Sequence, residues 1–226
     1  MKISRREFCQ GSASLALTLA VAAGGIARFG FLDTAFAQTP SQAELMQPGP
    51  LEDMVLGKAD APVTVIEYAS TTCPHCAHFY ATTYPELKKR YIDTGKVRYI
   101  YREFILNQLD AAAVMLLRCS DKEKFFPLLD ALFQKQSEWV VQKPIPPLLA
   151  LAKQAGFTED SFNACLDTQR NEKSKALMDK LQARNDTAQK FGVNSTPTFF
   201  VNGKKLPAGD ITIDDMAKEI DPLLKG

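Results

Sequence analysis

Between residues 63 and 104 the hydrophobic rhythm of the chain changes twice. Residues 63–70, Val-Thr-Val-Ile-Glu-Tyr-Ala-Ser, are rich in β-branched and aromatic side chains, and a strand's period of two places Val63, Val65, Glu67 and Ala69 on one face. Residues 74–91 follow a helical period instead, which gathers Phe79, Tyr80, Leu87 and Tyr91 near one side. Pro85 predicts a kink in that helix, Lys88, Lys89 and Arg90 suit its C-terminal end, and Gly95 marks a stop. Residues 97–104 return to alternation and predict a second strand, parallel to the first because a helix crosses between them. The three elements form a βαβ unit of right-handed sense.

From about residue 109 to 191 the pattern is helical, with segments near 109–119, 122–136, 147–155, 159–166 and 169–191, and with Gly156 and Gly192 as stops. A helical block between a βαβ unit and later strands predicts an insertion, about 107–191, packed beside the sheet. Thr196 and Pro197 then lead into an apolar strand, an Asn202-Gly203 turn and a second strand, the signature of a hairpin. A closing helix is expected over 213–224, with Thr212 as its N-cap.

The first 37 residues read differently. Paired Arg5 and Arg6 precede a mildly apolar stretch, 15–27, and Ala35-Phe36-Ala37 offers a small-residue cleavage site before Gln38. This is the pattern of a twin-arginine export signal in a periplasmic protein. A membrane anchor fits less well, because the apolar core is short of the ~20 residues a span needs and Gly24, Gly25 and Arg28 interrupt its continuation. Without residues 1–37 the chain has 23 basic and 24 acidic side chains, a net charge of −1. That balance gives no electrostatic case for binding nucleic acid. The remaining length suits one domain, 61–226, preceded by a loosely held arm, 38–60, rich in Pro, Gly and polar residues.

Cys73-Pro74-His75-Cys76 sits where the first strand gives way to the helix. Unpaired N–H groups and the helix dipole favour negative charge there, so Cys73 is expected to be an acidic, exposed nucleophile. Cys76, one turn on, lies within disulfide reach of it. Pro74 fits a first helical turn, and His75 can set a positive or hydrogen-bonding ring beside the sulfur. A zinc site normally takes a second ligand pair, which the sequence lacks, so a dithiol redox centre needing no cofactor or metal is the stronger reading. A soft-metal site using Cys73, Cys76 and His75 is the competing one. Glu67 is either a carboxylate at the wet end of a half-buried strand or a buried proton partner for Cys76. Cys119 and Cys165 are either buried apolar residues or, in an oxidising compartment, a structural disulfide.

Taken together, residues 51–224 resemble the thioredoxin superfamily, and within it the DsbA-like thiol:disulfide interchange proteins. The motifs are Cys73-Pro-His-Cys76 after an apolar strand, a helical block, and Thr196-Pro197 before a hairpin and helix. The resemblance implies an α/β, thioredoxin-like fold with an inserted helical subdomain. It implies that Glu67 is the buried acid, that Thr196-Pro197 is a cis-proline loop offering backbone to an extended substrate, and that Cys119 and Cys165 are the extra pair of a subgroup. The expected activity is the introduction of disulfides into cysteine-containing exported polypeptides, with reoxidation by a DsbB-like membrane partner linked to quinone. An isomerase or reductase of the same fold is the alternative. The arm carries no sustained heptads, so a monomer is expected.

Overall fold

The computed structural model describes residues 40–225. The export signal read at 1–37 lies outside them.

A short helix, α1 (Gln42–Leu45), is opened by a capping box between Ser41 and Glu44. It precedes β1 (Met54–Leu56) and β2 (Val63–Ala69). The predicted long helix is broken: α2 (Pro74–Thr82) ends at Thr83, and α3 (Tyr84–Leu87) begins with Pro85 in its first turn and runs on as a π-helical turn to Ile92. Proline lacks the N–H that a continuing helix would use, so the bend falls there. After β3 (Val97–Glu103) comes the helical block: α4 (Gln108–Cys119), α5 (Phe125–Gln134), α6 (Gln136–Trp139), α7 (Ile145–Gln154), α8 (Glu159–Leu166) and α9 (Glu172–Lys190). The chain closes with β4 (Thr198–Val201), β5 (Lys204–Lys205) and α10 (Ile213–Ile220), the last capped by Thr212.

The five strands lie in the order β1-β3-β2-β4-β5. β2 and β3 are parallel, from Val63 opposite Val97 to Ala69 opposite Glu103. β4 runs antiparallel to β2 with Phe199 opposite Glu67, and β4 and β5 form the hairpin. Asn202 and Gly203 both take positive φ, 44° and 88°, as a two-residue hairpin turn demands.

Alternation sorts the sheet's side chains into two cores. Val63, Val65, Ala69, Val97, Tyr99 and Tyr101 face the larger one, shared with α2 and the helical block. Ile66, Tyr68, Ile100 and Phe200 face a smaller one, covered by Leu45 of α1 and by Ala188 and Val193 at the end of α9.

The arm is more tightly held than its composition suggests. β1 pairs with β3 at the sheet edge, and a Cβ on Gly57 would come within 2.3 Å of the Val97 carbonyl oxygen, so only glycine allows that approach. Asp53 of the arm is buried with Glu103, Arg102, Arg118 and Arg184. Arg102 grips Asp53 through two hydrogen bonds of 2.7 and 2.8 Å. Arg184 contacts Glu103 at 2.7 Å and donates to the Pro48 and Leu51 carbonyls. No helix among the described residues is long and apolar enough to cross a membrane.

Candidate active site

Cys73 is the N-cap of α2, with extended backbone (φ −78°, ψ 122°), and Pro74 fills the first helical position. The turn that carries it is fixed from outside. Asp110, at the third position of α4 after the capping Asn107, accepts from the Thr71 N–H at 2.8 Å and from the Thr71 hydroxyl at 2.6 Å. Gln136 of α6 donates to the carbonyls of Thr71 (2.8 Å) and Cys73 (2.9 Å). The helical block therefore sets the backbone of the cysteine loop.

Cys73 and Cys76 are free thiols in this structure. Cys73 is only 6% exposed, so it is far more covered than a surface nucleophile, and Cys76 is completely buried. The covering chain is the loop before β4: the Cys73 thiol donates to the Thr196 carbonyl at 3.2 Å, and the Thr196-Pro197 peptide is cis. The Cys73 thiol is lowered to about 5. The Cys76 thiol, the Thr196 side chain and the backbone N–H groups of Cys76 and His75 stabilise the thiolate, and together they outweigh burial. The Thr196 hydroxyl oxygen is buried with no hydrogen-bond partner among the described residues. Burial drives the Cys76 thiol well upward, helped by the adjacent Cys73 sulfur and by the charge of Glu67. Two thiols one turn apart are thus split into an ionised one and a protonated one.

Glu67 is not at a wet strand end. It is fully buried, and burial raises its carboxyl to about 8 even though the Tyr99 hydroxyl donates to it. His75 is exposed, and its Nδ1 lies 3.0 Å from Asp210. That hydrogen bond, then the charge of Asp210 and then Cys73 raise the imidazole's affinity for its proton. Cys119 and Cys165 are joined in a disulfide between α4 and α8, within the helical block. The residues singled out in the sequence therefore fall into two groups. Cys73, Pro74, His75, Cys76, Glu67, Thr196 and Pro197 converge, and Cys119 and Cys165 bond to each other elsewhere. Among the described residues, no group of three or more His, Cys, Asp or Glu side chains is placed to hold a metal ion.

A family model described as thioredoxin matches residues 51–222. The chain belongs to the thioredoxin family. Its relatives place it in the DsbA-like branch. It is 32% identical to alpha-DsbA1 of Wolbachia pipientis, whose crystal structure it matches with a TM-score of 0.71 over 82% of this chain and 96% of that one. It is 37% identical over 175 residues to a Rickettsia conorii chain named as a protein-disulfide oxidoreductase, covering 76% of this chain and 61% of the relative. It is also 29% identical to disulfide bond formation protein D of Bacillus subtilis, over 80% of this chain and 81% of that one. The chain spans about six-tenths of the length of the Rickettsia relatives.

Four residues of this thioredoxin-like site escape the sequence reading: Tyr99, Asp110, Gln136 and Asp210. Tyr99 had a usable signal, since parallel pairing of β2 and β3 sets residues 65, 67, 99 and 101 on one face. Asn107 followed three residues later by Asp110 is also a readable helix start. Gln136 and Asp210 are joined to the cysteine motif only through the tertiary fold.

Proposed function

We propose that the chain is a protein-disulfide oxidoreductase that introduces disulfides into exported, cysteine-containing polypeptides. The observation that carries this reading is the contrast between Cys73, lowered to about 5, and the buried Cys76 raised far above its usual value. Stabilising the Cys73 thiolate stabilises the reduced protein, so the oxidised protein gives up its disulfide readily.

In the forward step a substrate thiolate bonds to Cys73 Sγ, the Cys73–Cys76 bond breaks, and the electron pair stays on Cys76 Sγ. Buried among apolar side chains, that sulfur takes a proton, which neutral Glu67 supplies. A second substrate thiolate then displaces Cys73, whose low thiol pKa makes it a good leaving group. Thr196 and Pro197 are the substrate-binding backbone of this reading, because the Thr196 carbonyl lies beside Cys73 Sγ, the sulfur that substrate attacks. His75, whose affinity for a proton Asp210 raises, adds positive charge near the thiolate when it is protonated. Residues 61–226 form the catalytic unit with its helical insertion at about 107–191, and Arg5 and Arg6 open an export signal ending near Ala37. Reoxidation falls to a DsbB-like, quinone-linked membrane partner, and the protein acts as a monomer in the periplasm.

The test is the reduction potential of the Cys73/Cys76 pair at neutral pH, measured with the oxidation of a reduced, unfolded substrate and the reshuffling of a scrambled one. An oxidase should lie well above the thioredoxin value of about −270 mV, nearer the DsbA value of about −120 mV. It should oxidise the first substrate faster than it rescues the second. A potential near that of thioredoxin, or preferential rescue of the scrambled substrate, would assign the site to reduction or isomerisation instead.

A further inference from the structure

The interior between β2, β3 and α2 holds a chain of hydroxyls that the exchange steps above leave without a task. Glu67 Oε2 accepts from the Tyr99 hydroxyl. The Tyr99 oxygen lies 3.3 Å from the Tyr80 hydroxyl of α2. Because Tyr99 donates its proton to Glu67, its oxygen is left to accept from Tyr80, and hydrogen bonds in such a chain strengthen one another. Glu67 Oε1, equally buried, has no hydrogen-bond partner among the described residues. Cores rarely leave a buried carboxyl oxygen unpaired, so the vacancy calls for a functional explanation.

We propose that Tyr99, backed by Tyr80, is a positioning residue for thiol–disulfide exchange: its hydroxyl occupies Oε2 of Glu67 and leaves Oε1 as the oxygen through which Glu67 trades a proton with Cys76. The inference rests on the exchange reading above, in which Glu67 is the proton partner of Cys76. When the disulfide opens, the proton leaves Oε1 for Cys76 Sγ, and the carboxylate that remains is held by the Tyr99 O–H. When Cys76 next ionises to attack a mixed disulfide, the proton returns to Glu67.

The surroundings suit this task. The titratable groups that face Glu67 are Cys73, Cys76 and Tyr80 from α2 and its cap, Tyr84 from α3, and Tyr99 and Tyr101 from β3. β4 presents Phe199 opposite it. Asp110 and Glu103 act on Tyr101, and Asp130 on Tyr84, one step further away. All four tyrosines are pushed upward by burial and stay neutral, so Tyr99 is the uncharged donor that a transient carboxylate needs. The rings also pack, Tyr80 on Phe133 at 4.1 Å and Tyr84 against Tyr99 at 5.6 Å, and phenylalanine would keep that packing while losing only the hydroxyl.

The experiment is a carbon-13 NMR titration of the Glu67 carboxyl in the reduced full chain, assigned with E67Q, run beside the pH profile of Cys76 release from the disulfide. In Y99F the Glu67 titration should move up by about one unit or more, the size expected from losing a hydrogen bond to a charged group. Y80F should move it up by less, and the Cys76 profile should follow in the same direction. Replacing Tyr99 with 3-fluorotyrosine, a stronger donor of nearly unchanged shape, should move it down, and this reports even if Y99F does not fold. Coincident Glu67 titrations in wild type, Y99F and the fluorinated protein would overturn the role of Tyr99 while leaving Glu67 in place. A Cys76 profile unchanged by E67Q would instead remove Glu67 from the exchange, and the proposal with it.

Discussion

Cys73 owes its acidity to groups the sequence places both near and far. The near part was legible: Cys-Pro-His-Cys after an apolar strand marks a helix start, where N–H groups of residues 75 and 76 point at the sulfur. The far part was not, because Thr196 lies 123 positions away and Asp210 lies 135 positions from the His75 it binds. Iodoacetamide alkylation of the reduced protein should show a Cys73 midpoint near 5. H75A should raise that midpoint by up to about one unit, because the imidazole is charged near pH 5, below its ordinary 6.5, and its loss removes a charge that favours the thiolate. An unchanged midpoint in H75A would mean that His75 acts on Cys73 only through its backbone. Glu67 makes a second prediction at this scale. Its folded-state pKa of about 8 stands above the ordinary 4.5, so the folded protein holds a proton that the unfolded chain releases, and stability falls as pH rises from 4.5 towards 8. E67Q has no such loss. At pH 8 it should be more stable than wild type, by on the order of 4 kcal/mol, and near pH 4 the two should converge. Urea unfolding of the reduced proteins at both pH values measures this, and an E67Q protein with no advantage at pH 8 would place Glu67 in a wetter site than the structure gives it.

Among the elements, those with sustained periodicity were read well and those set by one or two residues were not. The segment 159–166 was read at the bounds it takes as α8, because Thr158 caps it and apolar Phe162 and Cys165 turn inward. α7 starts at Ile145, two residues before the expected 147, because Pro146 and Pro147 fit a first turn whose N–H groups have no helical partner. β1 went unread since three residues cannot show alternation, and its neighbours are the Pro, Gly and polar residues of a loop. The helical block also bears a prediction of its own. The Cys119–Cys165 bond closes a loop with a sequence separation of 46, which the chain-entropy model values at about 4 kcal/mol. The C119A/C165A double variant should therefore unfold at lower denaturant by up to that amount. It should still oxidise substrate at close to the wild-type rate below its melting range, because the pair lies outside the set of residues converging on Cys73. A double variant that kept its stability but lost oxidation would make the pair a second redox centre.

At the scale of the whole molecule, the feature least visible in the sequence is the buried cluster of Arg102, Arg118, Arg184, Asp53 and Glu103. It binds the arm, β3, α4 and α9 into one body from positions up to 131 residues apart, and charges so spaced leave no periodic trace. The burial is costly, and attraction and hydrogen bonding must offset it at every member. Glu103 shows that they do: although burial raises its carboxyl, Arg118 and Arg184 hold it down at about 2. A carboxyl depressed from 4.5 to 2 adds stability that is fully present above 4.5 and is lost as pH falls through 2, on the order of 3 kcal/mol in all. Arg184 is the member that also holds arm carbonyls, at Pro48 (3.1 Å) and Leu51 (2.5 Å). R184M should thus cost about 3 to 5 kcal/mol at neutral pH, since it leaves Glu103 half-paired and those carbonyls without a donor. Its stability should fall less steeply than that of wild type between pH 4.5 and 2, because the Glu103 carboxyl would titrate closer to its ordinary value. Limited proteolysis of R184M should cut first between residues 47 and 53, while the Cys73 alkylation midpoint stays near 5. An R184M protein with wild-type stability and an uncut arm would show that β1 pairing alone holds the arm, and that the ion cluster is an incidental tenant of the core.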